Sequence, residues 1–119
     1  MAQETILLVE DEPAVRQLFA TALTRAGYKV FEARNGEEAV QLFEQHGDTV
    51  DLLLTDMRMP YMGGAELAKE LRGRKAALKL ICISGYPGSL ETVAATDFLA
   101  KPFSRDEMLR KVRDVLDRR

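Results

Sequence analysis

The sequence predicts an α/β protein built on a mainly parallel sheet with helices on both faces. Three observations carry this. Short apolar runs of strand length alternate five times with segments of helical periodicity, the pattern of a doubly wound sheet. Runs such as Ile6-Leu7-Leu8-Val9 and Leu52-Leu53-Leu54 are apolar throughout, as suits strands covered on two sides. The 119 residues are 46% apolar, which gives one domain, residues 1–119, enough material for a core.

The elements follow in order. The first strand, Ile6 to Val9, runs into the acidic cluster Glu10-Asp11-Glu12. Pro13 then sits where its fixed φ suits a first helical turn. Val15, Leu18, Phe19, Ala22, Leu23 and Ala26 recur at helical spacing, and Gly27 closes that helix. Lys29 to Ala33 reads as the second strand and Asn35-Gly36 as a turn. Residues 37–45 form the second helix, and His46 is expected to face solvent at its end. The third strand ends at Asp56, and a loop with Pro60, Gly63 and Gly64 leads to a helix over 65–72. The fourth strand, Leu80 to Ile83, ends at Ser84, and the short fifth, Asp97 to Ala100, ends at Lys101. Ser104 and Glu107 match a capping box for a last helix bearing Met108, Leu109, Val112, Val115 and Leu116.

Composition excludes several classes. The net charge of −2 and the scattered basic residues lack the footprint of a nucleic-acid binder, and the basic stretch Arg110 to Arg119 reads as a solvated helix face. No apolar run approaches the about 18 residues of a membrane span, and no secretory pattern opens the chain. The one cysteine, Cys82, forms no internal disulfide and reads as a small buried apolar residue, so a cytoplasmic setting is expected.

Four of the five strands end in a polar residue of special type: Glu10 and Asp11, Asp56, Ser84, and Lys101. In a parallel sheet these ends share one edge, the edge at which open α/β sheets bind ligands. Carboxylates gathered there repel one another unless a cation sits among them. Hard oxygen ligands select Mg²⁺. A lysine supplies a point charge for a phosphoryl oxygen, and a carboxylate can itself be the nucleophile. The set therefore suits phosphoryl transfer to an aspartate.

The stretches Leu7-Leu8-Val9-Glu10-Asp11-Glu12 and Leu54-Thr55-Asp56-Met57-Arg58-Met59-Pro60, with the triplets Ile83-Ser84-Gly85 and Lys101-Pro102-Phe103, resemble receiver domains of two-component response regulators. The resemblance runs from about Ile6 to about Leu116. It implies a flavodoxin-like (βα)₅ fold with strand order 2-1-3-4-5, a regulatory domain rather than an enzyme. It also implies a histidine kinase or histidine phosphotransfer protein as phosphodonor, with no direct nucleic-acid or membrane contact and a monomer or weak dimer. By position Asp56 is the acceptor, and Asp11, Asp56, Glu10 through water and the backbone carbonyl of Arg58 hold Mg²⁺. Ser84 is the switch hydroxyl, Gly85 its small neighbour, Lys101 the phosphate-binding lysine and Phe98 the aromatic switch position, here without a hydroxyl. Lys101-Pro102 would carry a cis peptide.

Ser84 and Lys101 stand closer together than is usual in the family, and Gly85, Pro87 and Gly88 discourage helix. The fourth helix is therefore expected to be shortened to about two turns within Ser89 to Thr96, and to be the most mobile part of the domain. A haloacid-dehalogenase-like phosphatase would need a second Asp two residues beyond Asp56, where Arg58 stands. A receiver-like module that binds partners without phosphorylation would not need the full acceptor, metal, lysine and hydroxyl set. The opening residues and the Ile83-Ser84-Gly85-Tyr86 turn also resemble receivers fused to hybrid sensor kinases. No output domain fits within these residues, so a stand-alone regulator or part of a larger protein is expected.

Overall fold

A computed structural model describes residues 4–57, 63–84 and 97–118. Along them run β1 (Thr5–Val9), α1 (Pro13–Arg25), β2 (Lys29–Ala33), α2 (Gly36–His46), β3 (Val50–Asp56), α3 (Gly64–Arg74), β4 (Lys79–Ser84), β5 (Asp97–Ala100) and α4 (Arg105–Asp117). The strands form one parallel sheet in the order β2-β1-β3-β4-β5. This is the order the resemblance implies. The expected short helix within residues 89–96 lies outside the described residues.

The sheet sorts its apolar side chains by alternation. Ile6, Leu8, Leu52, Leu54, Ile81 and Ile83 face α1 and α4, where they meet Leu23, Met108, Val112 and Val115. Leu7, Val9, Leu53 and Leu80 face α2 and α3, where they meet Ala39, Phe43, Leu67 and Leu71. Successive residues of a strand point to opposite faces, so an unbroken apolar run feeds two cores at once. Cys82 is buried within β4, and that burial pushes its thiol up to about 12, as befits an inert core residue.

The local signals act largely where expected. Gly27 follows α1 with φ 103°, a conformation that favours glycine. Ser104 Oγ accepts the Glu107 N–H at 3.1 Å while Glu107 Oε1 accepts the Ser104 N–H at 3.0 Å, completing the capping box. The peptide between Lys101 and Pro102 is cis.

Three readings need correction. Asn35-Gly36 is the start of α2 rather than a separate turn, because Asn35 Oδ1 accepts the Glu38 N–H at 2.7 Å and caps the helix. His46 is half-buried and stacks on Phe31, with ring centroids 4.4 Å apart. The basic residues at the end of the chain are more than a solvated face: Arg113 of α4 pairs with Glu4 at 2.7 Å, and Arg118, just past α4, with Asp97 at 2.7 Å, tying the last helix and its cap to the amino-terminal ends of β1 and β5.

Candidate functional site

The C-terminal ends of β1, β3 and β5 bring together the groups that the sequence singled out. Glu10 extends the β1 ladder by one bond, its N–H donating to Ala33 O at 3.0 Å. Pro13 then starts α1 and turns the chain away, which leaves Glu10, Asp11 and Glu12 at the sheet edge. Asp56 is the last residue of β3, and the Met57 N–H continues the ladder to Ile83 O at 2.9 Å. The start of α3 lies close to this strand end: the Gly64 N–H donates to Met57 O at 3.1 Å. A Cβ on Gly64 would lie 2.4 Å from the Asp56 carbonyl oxygen, so only glycine permits this approach.

Glu10, Asp11 and Asp56 each offer a carboxylate oxygen within 4.8 Å of the others. Glu10 and Asp56 are buried, and Asp11 is exposed. Lys101, at the end of β5, places Nζ 3.0 Å from Asp56 Oδ2. Glu10 Oε2 accepts the Glu12 N–H at 3.1 Å, whereas its buried Oε1 has no hydrogen-bond partner among the described residues.

The electrostatics follow from this crowding. Burial raises the Glu10 carboxyl from its ordinary 4.5 to about 7; the bond from the Glu12 amide opposes the rise, and the nearby Asp56 charge adds to it. Burial alone would lower Lys101, but the hydrogen bond and charge of Asp56 outweigh it and hold the ammonium more firmly protonated. An orphaned buried carboxylate oxygen beside two further carboxylates is a costly arrangement. A cation would relieve it, and a donor set made only of hard oxygens fits a small divalent ion.

Ser84 ends β4 and pairs in register with Ala100, next to Lys101. Phe98 is half-buried in β5, in register with Cys82. Arg58 and Gly85 lie outside the described residues. One residue at the site was not found from sequence. Arg16, one turn into α1, donates from Nη1 to the Glu10 carbonyl oxygen at 2.9 Å. The signal that could have found it is its place near a helix N-terminus, where side chains lean back toward the preceding strand end.

Comparison with known proteins agrees with this geometry. The family model for the response regulator receiver domain matches residues 6–113. The chain is 40% identical over 119 residues to the sensor kinase CckA of Brucella abortus (strain 2308), covering 96% of this chain and 13% of that kinase. It therefore spans only a small part of that protein's length. The crystal structure of the receiver domain from the hybrid histidine kinase CckA superposes with a TM-score of 0.84 at 38% identity, covering 94% of this chain and 98% of that one. The response regulator TrrA of Thermotoga maritima, solved in complex with Mg²⁺-BeF, superposes with a TM-score of 0.82 at 33% identity, covering 95% and 99%. A flavodoxin-like sheet with an acidic pocket at its carboxyl edge is consistent with a phosphoacceptor domain. The chain belongs to the response regulator receiver domain family of two-component signal transduction.

Proposed function

We propose that this domain accepts a phosphoryl group on Asp56 in a Mg²⁺-dependent reaction and changes conformation in response. The observation that carries the proposal is the convergence of Glu10, Asp11 and Asp56 within 4.8 Å, with Lys101 Nζ 3.0 Å from Asp56. The donor is the phosphohistidine of a histidine kinase or of a histidine phosphotransfer protein. An Asp56 carboxylate oxygen attacks phosphorus, the P–N bond to the donor imidazole breaks, and the O–P bond of an acyl phosphate forms. Mg²⁺, when bound, neutralises charge on the transferring group. Asp11 and Asp56 would hold it directly, Glu10 would do so through water, and Arg58 would contribute its backbone carbonyl. Lys101 moves from its carboxylate partner to a phosphoryl oxygen and keeps its proton throughout. The Ser84 hydroxyl donates to another phosphoryl oxygen, and Phe98 repacks as that end of the sheet adjusts.

The domain assists only its own phosphorylation and dephosphorylation. It works as one unit over residues 1–119, in the cytoplasm, as a monomer or weak dimer. Likeness to a receiver from a hybrid kinase supports a place in a phosphorelay attached to such a kinase. Among the described residues no helix is long and apolar enough to cross a membrane.

Intact-mass analysis with acetyl phosphate tests the proposal. Wild type should gain a single phosphoryl mass with Mg²⁺, and Asp56→Asn should gain none. Equal labelling of both proteins without Mg²⁺ would overturn the assignment.

A further inference from the structure

Arg16 is bound at two points. Its Nη1 donates to the Glu10 carbonyl oxygen at 2.9 Å, and its Nε lies 3.6 Å from Glu32 Oε1 near the end of β2. Its side chain is 19% exposed, that of Glu32 47%. The Arg16 backbone N–H donates to Glu12 O at 2.9 Å as α1 begins, so the guanidinium reaches back past the first turn to the strand end. The main chain of Glu10 is thus held on both sides, by Ala33 O at its N–H and by Arg16 at its carbonyl. That carbonyl belongs to the peptide that begins Asp11. Fixing it fixes the direction in which Asp11 leaves the loop.

We propose that Arg16 is a positioning residue for the cation site: by pinning the Glu10–Asp11 peptide between α1 and β2, it presets two of the three carboxylates that bind Mg²⁺. The inference rests on the phosphoacceptor reading above. A planar fork holds the carbonyl and Glu32 in one fixed geometry, where a lysine ammonium is a point charge with rotatable donors on a flexible stem. Groups behind metal ligands commonly govern affinity through such orientation.

The test is a set of Mg²⁺ titrations of metal-free protein followed by amide NMR shifts, with thermal unfolding run in parallel. Arg16→Ala should weaken Mg²⁺ binding about tenfold, the lower end for loss of a group behind a metal ligand. Arg16→Lys should fall between it and wild type, and it carries the test if Arg16→Ala does not fold. Lys75→Met is the control. Its ammonium serves the carbonyls of Gly47, Asp48 and Val50 at the opposite end of β3, so its loss should lower Tm without weakening Mg²⁺. Wild-type affinity in the Arg16 variants, with Asp11→Asn having lost it, would overturn the inference. So would an equal loss of affinity in Lys75→Met. If Asp11→Asn itself binds Mg²⁺ as wild type does, the cation site fails first and the role of Arg16 with it.

Discussion

Replacing Glu10 with Gln isolates the cost of burying the Glu10 carboxylate. In the metal-free fold the Glu10 carboxyl keeps its proton up to about pH 7, against 4.5 for its ordinary value. Between those limits the native state binds more protons than the unfolded chain, so stability falls as pH rises. The contribution is fully present below 4.5 and is lost as pH climbs through about 7. At about 1.4 kcal/mol per pH unit the gap corresponds to about 3 kcal/mol at most, since local relaxation lowers the cost of burying the charge. Glu10→Gln carries no charge to bury. In EDTA at about pH 8 it should therefore be about 2–3 kcal/mol more stable than wild type by urea unfolding, with the advantage vanishing near pH 4.5. Glu4, Asp97 and Glu107, whose carboxyls are held below their usual range, are common to both proteins and cancel in the comparison. Saturating Mg²⁺ should restore wild type at the higher pH. Parallel stability curves for the two proteins from pH 4.5 to 8 would refute the reasoning, because Glu10 would then titrate as it does in the unfolded chain.

Other outcomes follow from single contacts. Lys101→Met removes the ammonium 3.0 Å from Asp56 and should slow phosphoryl uptake about a hundredfold, read by timed intact-mass labelling, while Mg²⁺ still binds. Ser84→Ala should take up phosphoryl but show a smaller shift response to beryllofluoride by NMR; a full wild-type response would remove Ser84 from the switch. Gly64→Ala would press a Cβ against the Asp56 carbonyl oxygen and Met57 Cα, 2.4 and 3.0 Å away. Both are main-chain atoms, so it should cost about 1–3 kcal/mol in urea unfolding and slow labelling as the acceptor loop shifts. Lys75→Met leaves three carbonyls without their ammonium and should cost about 1–3 kcal/mol while labelling proceeds at the wild-type rate.

The sequence by itself determined the elements and the acceptor edge. Short strand-like segments placed all five strands; Asp97–Ala100 and Lys29–Ala33 match the structure residue for residue, and the others start or end within two residues of it. Gly27 and the Ser104–Glu107 box marked helix ends because such signals act between neighbours, through φ preferences and short hydrogen bonds. Strand-end chemistry was legible because a parallel sheet carries every carboxyl end to one side. Tertiary structure decided what neighbours cannot encode. In wholly apolar strands no pattern says which residue faces which layer, so the split of Leu7 from Leu8 between two cores appears only after packing. The pairing of Arg113 with Glu4, the three carbonyls gathered on Lys75 and the reach of Arg16 to Glu10 depend on where whole elements come to rest. The Glu10 oxygen, without a partner among the described residues, is of the same kind: Glu10 is acidic in any sequence, but only its burial at the sheet edge removes its water and raises its proton affinity.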